Sequence, residues 1–385
     1  MKRLLFLILS ATIVLGSVFV GWAQEPYKIG VVNNSTGALG MFGIVQNRGI
    51  ELAAEVINKA GGVNGHKIVP IIYDGETKPD VNLRMARKLI NQDKVKVLIG
   101  PNFMAGIKSI GPVVNEKKIP MTNFGATVID PAKDPYMFSF GSNNTIMAQA
   151  LVEYYHKKGI KNIAIIAVKS SYGEEFAVAY RDCMRKYPDM SIVATEWFMY
   201  EDTDITPQIT KLISANPDVI ADIACGTATL LVARSAYGLG YKKLLAGTHC
   251  DLSTPFAESI RDLPTGYVIV PGRNTWCMLG KAQVEAMPDG PRKAYSLKII
   301  NAWEKKYGDL KDIIYGTIGY EYADMYIKAF KAAGYDSEKV KQWLENTEIM
   351  NSTGIIRMTP TDHLGATPEN VAILTTENGR FVPMK

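Results

Sequence analysis

Short apolar runs alternate with longer amphipathic ones along this chain, and the alternation starts over once. Residues 27–33 (YKIGVVN) read as a buried strand, and a helix is expected over 43–60, where Ile50, Ala53, Ala54 and Ile57 recur at helical spacing. Gly61-Gly62 ends that helix. Strands at 68–73, 95–100 and 119–123 then alternate with helices at 81–93 and 105–116. An extended stretch at 137–141 and a helix at 146–159 lead into a second series. It has strands at 162–168, 191–198, 218–224 and 243–248, separated by helices at 173–186, 205–215 and 230–239. A strand at 267–270 follows, then helices at 292–307 and 316–333 that read as extra cover for the first sheet. The tail holds turn signals and a short strand at 371–375. Strand–helix alternation with apolar strands requires a parallel sheet covered by helices on both faces. Two such series in 385 residues, more than one core usually holds, predict two α/β lobes. Open α/β sheets bind ligands outside the carboxyl ends of their strands, so two such edges facing each other make a clamp.

The first 23 residues stand apart. Lys2 and Arg3 precede an apolar run from Leu4 to about Val20, and Gly21-Trp22-Ala23 ends it with small residues at its first and third positions. This order is that of a secretory signal peptide cleaved after Ala23, with a retained anchor as the competing reading. A periplasmic protein is therefore expected. Losing Lys2 and Arg3 takes the formal charge from +5 to +3, too little to argue for nucleic acid. Cys183, Cys225, Cys250 and Cys277 include no C-x-x-C, which argues against a zinc site. An oxidising compartment permits disulfides among them, and their pairing stays open between three full connectivities and buried free thiols.

Signatures of catalysis are missing. The chain has no G-x-S-x-G, H-E-x-x-H, P-loop or dinucleotide fingerprint. His66, His156, His249 and His363 are scattered, so neither a metal nor another cofactor is expected. His249 and Cys250 are adjacent, and in an extended segment their side chains diverge, against a Cys–His nucleophile. The chain reads as a binding protein and not an enzyme.

Four motifs in order carry a resemblance. They are Ile57-Asn58-Lys59-Ala60-Gly61-Gly62-Val63-Asn64-Gly65; Tyr73-Asp74-Gly75-Glu76-Thr77-Lys78-Pro79; Val97-Leu98-Ile99-Gly100-Pro101; and Ser171-Tyr172-Gly173. Together they resemble the periplasmic solute-binding proteins of the branched-chain amino acid type, which serve ABC importers, and the resemblance covers nearly all of the mature chain. It implies two Rossmann-like lobes with parallel-rich sheets joined by a three-segment hinge, the type I periplasmic-binding protein fold. Lobe 1 would comprise 24–141 plus 273–353, and lobe 2 would comprise 142–272 plus 354–385, with crossovers near 140–143, 271–274 and 351–356. It also implies a monomer with a small-molecule ligand, and a permease and ATPase in the inner membrane as partners. A sensory module acting through a separate receptor is the alternative. The glycines of the first motif and the 74–79 turn are read as structural.

The resemblance also implies where ligand binds. In the first lobe the stretch Asn102-Phe103-Met104-Ala105 stands where the family holds a ligand carboxylate, with Met104 where Ser or Thr is usual. The helix that follows still offers N-terminal N–H groups. Phe124, Gly125, Ala126 and Thr127 form the second such stretch, and Ala126-Thr127 match the family's A-T pair. Phe42 stands where the family often has Tyr, to stack on a ligand face or to close its own core. In the second lobe Tyr172 matches the family's aromatic, and Cys225-Gly226-Thr227 stand where Tyr is frequent. His249 takes the position of the acid that receives the ligand ammonium, with Asp251 two residues on. Arg273 and Trp276 lie just past a hinge strand, in reach of the cleft. A buried ammonium without a partner is costly. The expected ligand is thus a small carboxylate with an aromatic or branched apolar body, and a branched-chain or other amino acid, or an amide or urea, is the alternative.

Overall fold

The computed structural model describes residues 24–37, 39–125, 129–139, 143–273, 280–310 and 313–384. The expected signal peptide, the site residues Ala126, Thr127 and Trp276, Cys277 and most of the 140–143 crossover lie outside them.

The first series folds as β1 (Tyr27–Asn33), α1 (Gly40–Lys59), β2 (Ile68–Asp74), α2 (Pro79–Asn91), β3 (Leu98–Ile99), α3 (Met104–Lys117), β4 (Met121–Thr122) and β5 (Met137–Phe138). Its five strands form a parallel sheet in the order β2-β1-β3-β4-β5. Along β1, Ile29 and Val31 enter one core cluster and Val32 another, because helices bury both faces.

The second series is α4 (Asn144–Lys157), β6 (Asn162–Val168), α5 (Ser171–Met184), β7 (Ser191–Phe198), α6 (Thr206–Ser214), β8 (Val219–Ile223), α7 (Thr227–Gly238), β9 (Leu244–Ala246), α8 (Thr254–Ser259) and β10 (Val268–Gly272). After it come α9 (Lys281–Glu285), α10 (Pro291–Tyr307), α11 (Ile313–Ala333), α12 (Ser337–Asn346), β11 (Glu348–Asn351), β12 (Gly354–Arg357), β13 (Ala372–Glu377) and β14 (Arg380–Pro383). The second sheet runs β14-β13-β10-β9-β8-β6-β7, parallel except where β13 joins β10 and β14. The predicted two-lobed α/β architecture is thus present.

Helices α10 and α11 cover the first sheet as expected. Glycines let α11 lie directly on α1: a Cβ on Gly49 would stand 1.8 Å from the Gly316 carbonyl oxygen, and one on Gly319 would stand 2.0 Å from that of Gln46. Three short helices were not anticipated. α8 and α9 span six and five residues, less than two turns of periodicity. α12 carried a readable start, since Asp336 accepts the Lys339 N–H at 2.9 Å.

The chain stays beside the first sheet for longer than the 351–356 crossover implied. β11 and β12 pair with each other across Asn351–Gly354. Further on, His363 is buried, its Nδ1 2.8 Å from the Met137 carbonyl and its ring stacked on Phe138. The tail joins the second sheet at Ala372. Among the described residues no helix is long and apolar enough to cross a membrane.

Candidate functional site

Among the described residues, the predicted ones follow the carboxyl ends of strands in both sheets. In the second sheet β8, β9 and β10 are parallel neighbours, and Cys225, Cys250 and Arg273 follow their carboxyl ends.

Tyr172 opens α5. Ser170 caps that helix by accepting the Gly173 N–H at 3.2 Å. Gly173 sits so close to the end of β6 that a Cβ there would lie 2.0 Å from the Val168 carbonyl oxygen. The Tyr172 ring meets the rings of Phe176 and His249 edge-on, with centroids 5.9 and 6.3 Å away. Its hydroxyl receives a hydrogen bond from the Cys250 thiol at 3.4 Å.

The turn after β9 is tightly built. Thr248 Oγ1 donates to the Ala224 carbonyl at 3.0 Å and accepts the Cys250 N–H at 3.3 Å. Asp251 Oδ2 accepts the Thr248 N–H at 2.9 Å. Asp251 is 1% exposed, so the one acid of this turn points inward as its cap. Burial pushes its carboxyl up to about 7 against the pull of those N–H bonds. Burial holds His249 neutral by moving its imidazole down to about 4, and its Nδ1 has no partner among the described residues. The Cys225 and Cys250 thiols face each other. That contact holds the Cys225 thiol well above the ordinary range and lowers Cys250. Tyr200, two residues past the end of β7, faces the Cys225 thiol. Gly226 and Thr227 are exposed at the start of α7.

The first-sheet edge rests on a net of amides. Asn34 Nδ2 donates to Asn102 Oδ1 at 2.6 Å, and Asn33 Nδ2 donates to Gln46 Oε1 at 3.0 Å and Asn47 Oδ1 at 3.1 Å. Asn102 Nδ2 turns to the Leu39 carbonyl and Gln46. The Asn102 side chain therefore fixes the loops to one another. Phe103 is extended at the head of α3 with its ring against Gly106, and no side chain caps that helix. Met104 and Ala105 form its first turn, leaving their N–H groups as donors. Phe124 packs edge-on to Tyr322 at 5.1 Å, and the Gly125 N–H is taken by Asn123 Oδ1 at 3.2 Å. Phe42 packs edge-on to Tyr315 at 4.8 Å.

Arg273 is 7% exposed and turned toward the chain crossings. Its Nη2 donates to Thr353 Oγ1 at 2.9 Å, beside Glu321, whose carboxylate accepts the Ser352 N–H at 2.8 Å. One ion pair links helices of different sheets: Lys108 Nζ on α3 lies 3.9 Å from Glu175 Oε1 on α5. Among the described residues no group of His, Cys, Asp and Glu is disposed to hold a metal ion. The sequence singled out Tyr172, His249 and Cys225. It missed Tyr200 and the parts played by Thr248 and Cys250, for which the only signal was a position just past a strand end.

The profile of the periplasmic binding protein family matches residues 26–380. The chain belongs to that family. Its relatives include Leu/Ile/Val-binding protein homolog 7 of Brucella abortus (strain 2308), 26% identical over 85% of this chain and 82% of that protein. Leu/Ile/Val-binding protein homolog 3 of Brucella melitensis is 27% identical over 59% of this chain, which spans 63% of it. The fold recurs in an extracellular ligand-binding receptor from Rhodopseudomonas palustris HaA2, with a TM-score of 0.79 and 24% identity over 94% of this chain and all 100% of that one. Two further neighbours, each 19% identical, were solved with ligands. One is a solute binding protein of an R. palustris ABC transporter in complex with 4-hydroxybenzoate, at a TM-score of 0.75 over 94% of this chain and 96% of the other. The second is a branched-chain amino acid transporter substrate binding protein from Streptococcus pneumoniae in complex with isoleucine, at 0.72 over 92% and 97%. The type I periplasmic-binding fold follows for this periplasmic binding protein.

Proposed function

We propose that this periplasmic binding protein is the extracytoplasmic solute-binding component of an ABC importer, and that it captures a small carboxylate with an aromatic or branched apolar body. One observation carries the reading of the ligand. The turn after β9 offers a neutral imidazole, His249, where an ammonium acceptor is needed, and its acid, Asp251, is buried as a cap. An α-amino acid brought there would leave its cation without a counter-charge, at a cost of roughly several kcal/mol. A carboxylate is better served: the uncapped first turn of α3 supplies N–H donors, and the aromatic and thioether side chains of Phe103, Met104 and Phe124 supply apolar contact. The fold itself admits both classes, since neighbours hold 4-hydroxybenzoate and isoleucine, so the wall residues decide.

Closure would turn on three crossings, near 139–143, 272–281 and 365–371, with ligand shifting the population toward the closed form. The solute would be delivered to a permease and its ATPase from the periplasm, which the chain would reach by losing its first 23 residues. The relatives named for Leu, Ile and Val favour a second reading, a branched-chain amino acid ligand. Protein stripped of copurified solute and screened by thermal shift against an amino acid panel and an aromatic and branched acid panel separates the two. Stabilisation by members of the acid panel is expected; strong stabilisation by leucine or valine alone would overturn the carboxylate reading.

A further inference from the structure

We propose that Cys225 and Cys250 form a reversible disulfide in the second-sheet wall of the cleft. This holds whatever solute binds there. β8 and β9 are parallel neighbours that register Val219 with Leu244 and Ala221 with Ala246, and past their ends Thr248 Oγ1 bonds the Ala224 carbonyl at 3.0 Å, which brings together the turns that carry Cys225 and Cys250. The turn that carries Cys250 is fixed from within, by the Thr248 N–H on Asp251 Oδ2 at 2.9 Å and by the Cys250 N–H on Thr248 Oγ1 at 3.3 Å. The two thiols face each other beside the Tyr172 hydroxyl, which receives the Cys250 S–H at 3.4 Å. Both residues are half-buried. Cys183 is no competitor. It belongs to the core cluster beneath α4 and α5, its thiol faces the Thr145 carbonyl at 3.9 Å, and burial pushes it up to about 11.

The chemistry is exchange with a low-molecular-weight disulfide. Cys250, the more acidic thiol of the pair, attacks one sulfur of the oxidant as its thiolate, and the other sulfur leaves as a thiolate. Cys225 then gives its proton to that leaving group and displaces the second half of the oxidant from the Cys250 sulfur. The protein loses two hydrogens and the oxidant becomes two thiols. Oxidation removes the S–H that Cys250 donates to the Tyr172 hydroxyl, so the wall presents Tyr172 differently in its two redox states.

Oxidised glutathione added to the reduced full chain, followed by intact mass and non-reducing peptide mapping, tests the proposal. The expected result is a Cys225–Cys250 cross-link, complete loss of both from the free-thiol count, no lasting glutathione adduct, and full reversal by dithiothreitol. Cys225→Ser should trap glutathione on Cys250, and Cys183→Ser should leave the cross-link unchanged. Circular dichroism of each variant establishes that it is folded. A lasting glutathione adduct on wild-type Cys250, a cross-link from either residue to Cys277, or two thiols that stay free under excess oxidant would each overturn it.

Discussion

Lys108 on α3 and Glu175 on α5 approach to 3.9 Å, joining helices that cover different sheets. Both helices begin at a strand end that carries predicted ligand residues, Phe103 and Tyr172. The pair therefore reports the approach of the two edges. Lys108 is 63% exposed in its side chain and Glu175 37%, so the attraction is worth no more than about 1 kcal/mol and weakens with salt. Lys108→Glu places like charges there and should open the lobes. Small-angle scattering of the solute-free variant should give a larger radius of gyration than wild type at low salt, a difference that shrinks at high salt. Identical profiles would remove the pair from closure.

His249 decides ligand class on the reading above, and the exchange of one side chain tests it. His249→Glu restores a fixed acid in the wall beside Tyr172. The variant should gain thermal stabilisation from leucine or another α-amino acid and lose that from the acid panel, by at least about tenfold in affinity each way. A variant that still prefers the carboxylate places the ammonium question elsewhere in the cleft.

The buried acids and His249 pull stability in opposite directions with pH. Asp251 titrates near 7 in the folded chain against an ordinary 3.8, so between these values the folded state holds a proton that the unfolded state has lost. That lowers stability as pH rises through the window. His249 titrates near 4 against an ordinary 6.5, so between those values the unfolded state holds the extra proton, and stability rises with pH. The two contributions oppose each other from about 4 to 6.5. Asp222 adds to the first. Burial, with Asp251 nearby, raises its carboxyl well above the ordinary value, and neither oxygen has a hydrogen-bond partner among the described residues. Asp222→Asn should therefore remove a penalty that grows by up to roughly 1 kcal/mol per pH unit above the ordinary carboxyl range. The melting temperature of the variant minus that of wild type should increase as pH rises above the ordinary carboxyl range, until the folded carboxyl itself ionises. A constant difference would mean that Asp222 does not titrate as described.

Long elements were legible because they span several periods of their pattern; the helix expected over 43–60 is α1, and the strand expected over 162–168 is β6. Short ones were not. α8, α9 and the β11–β12 hairpin are too brief to show a period, and α12 was passed over although Val340 and Leu344 stand four apart behind its Asp336 cap. At the second-sheet edge the start of α5 was legible, because a Ser ahead of a Gly is what the cap and the close approach to β6 require, and Tyr172 comes with it. Its partner Cys250 lies 78 residues away, a distance over which sequence alone offers no pairing signal. Asn102 was expected at the ligand because it follows a strand. The surrounding amides Asn34 and Gln46 claim it instead, which only the fold reveals.

Gly173 is the position where fold and binding meet. Any side chain there drives a carbon to within 2.0 Å of the Val168 carbonyl oxygen, so the first turn of α5 must lift off the end of β6. Tyr172 would move with it, away from the Cys250 thiol and the His249 ring. The remainder of α5 stays anchored by Phe176, Ala177 and Tyr180 in the core. Gly173→Ala should therefore fold, with a stability loss of about 1–3 kcal/mol, and bind its solute at least about tenfold more weakly. Tyr172→Ala should match it in affinity while keeping stability closer to wild type. Calorimetric binding and denaturant melts of the two variants check the pair. Full affinity in Gly173→Ala would show that the place of Tyr172 does not depend on the contact of α5 with β6.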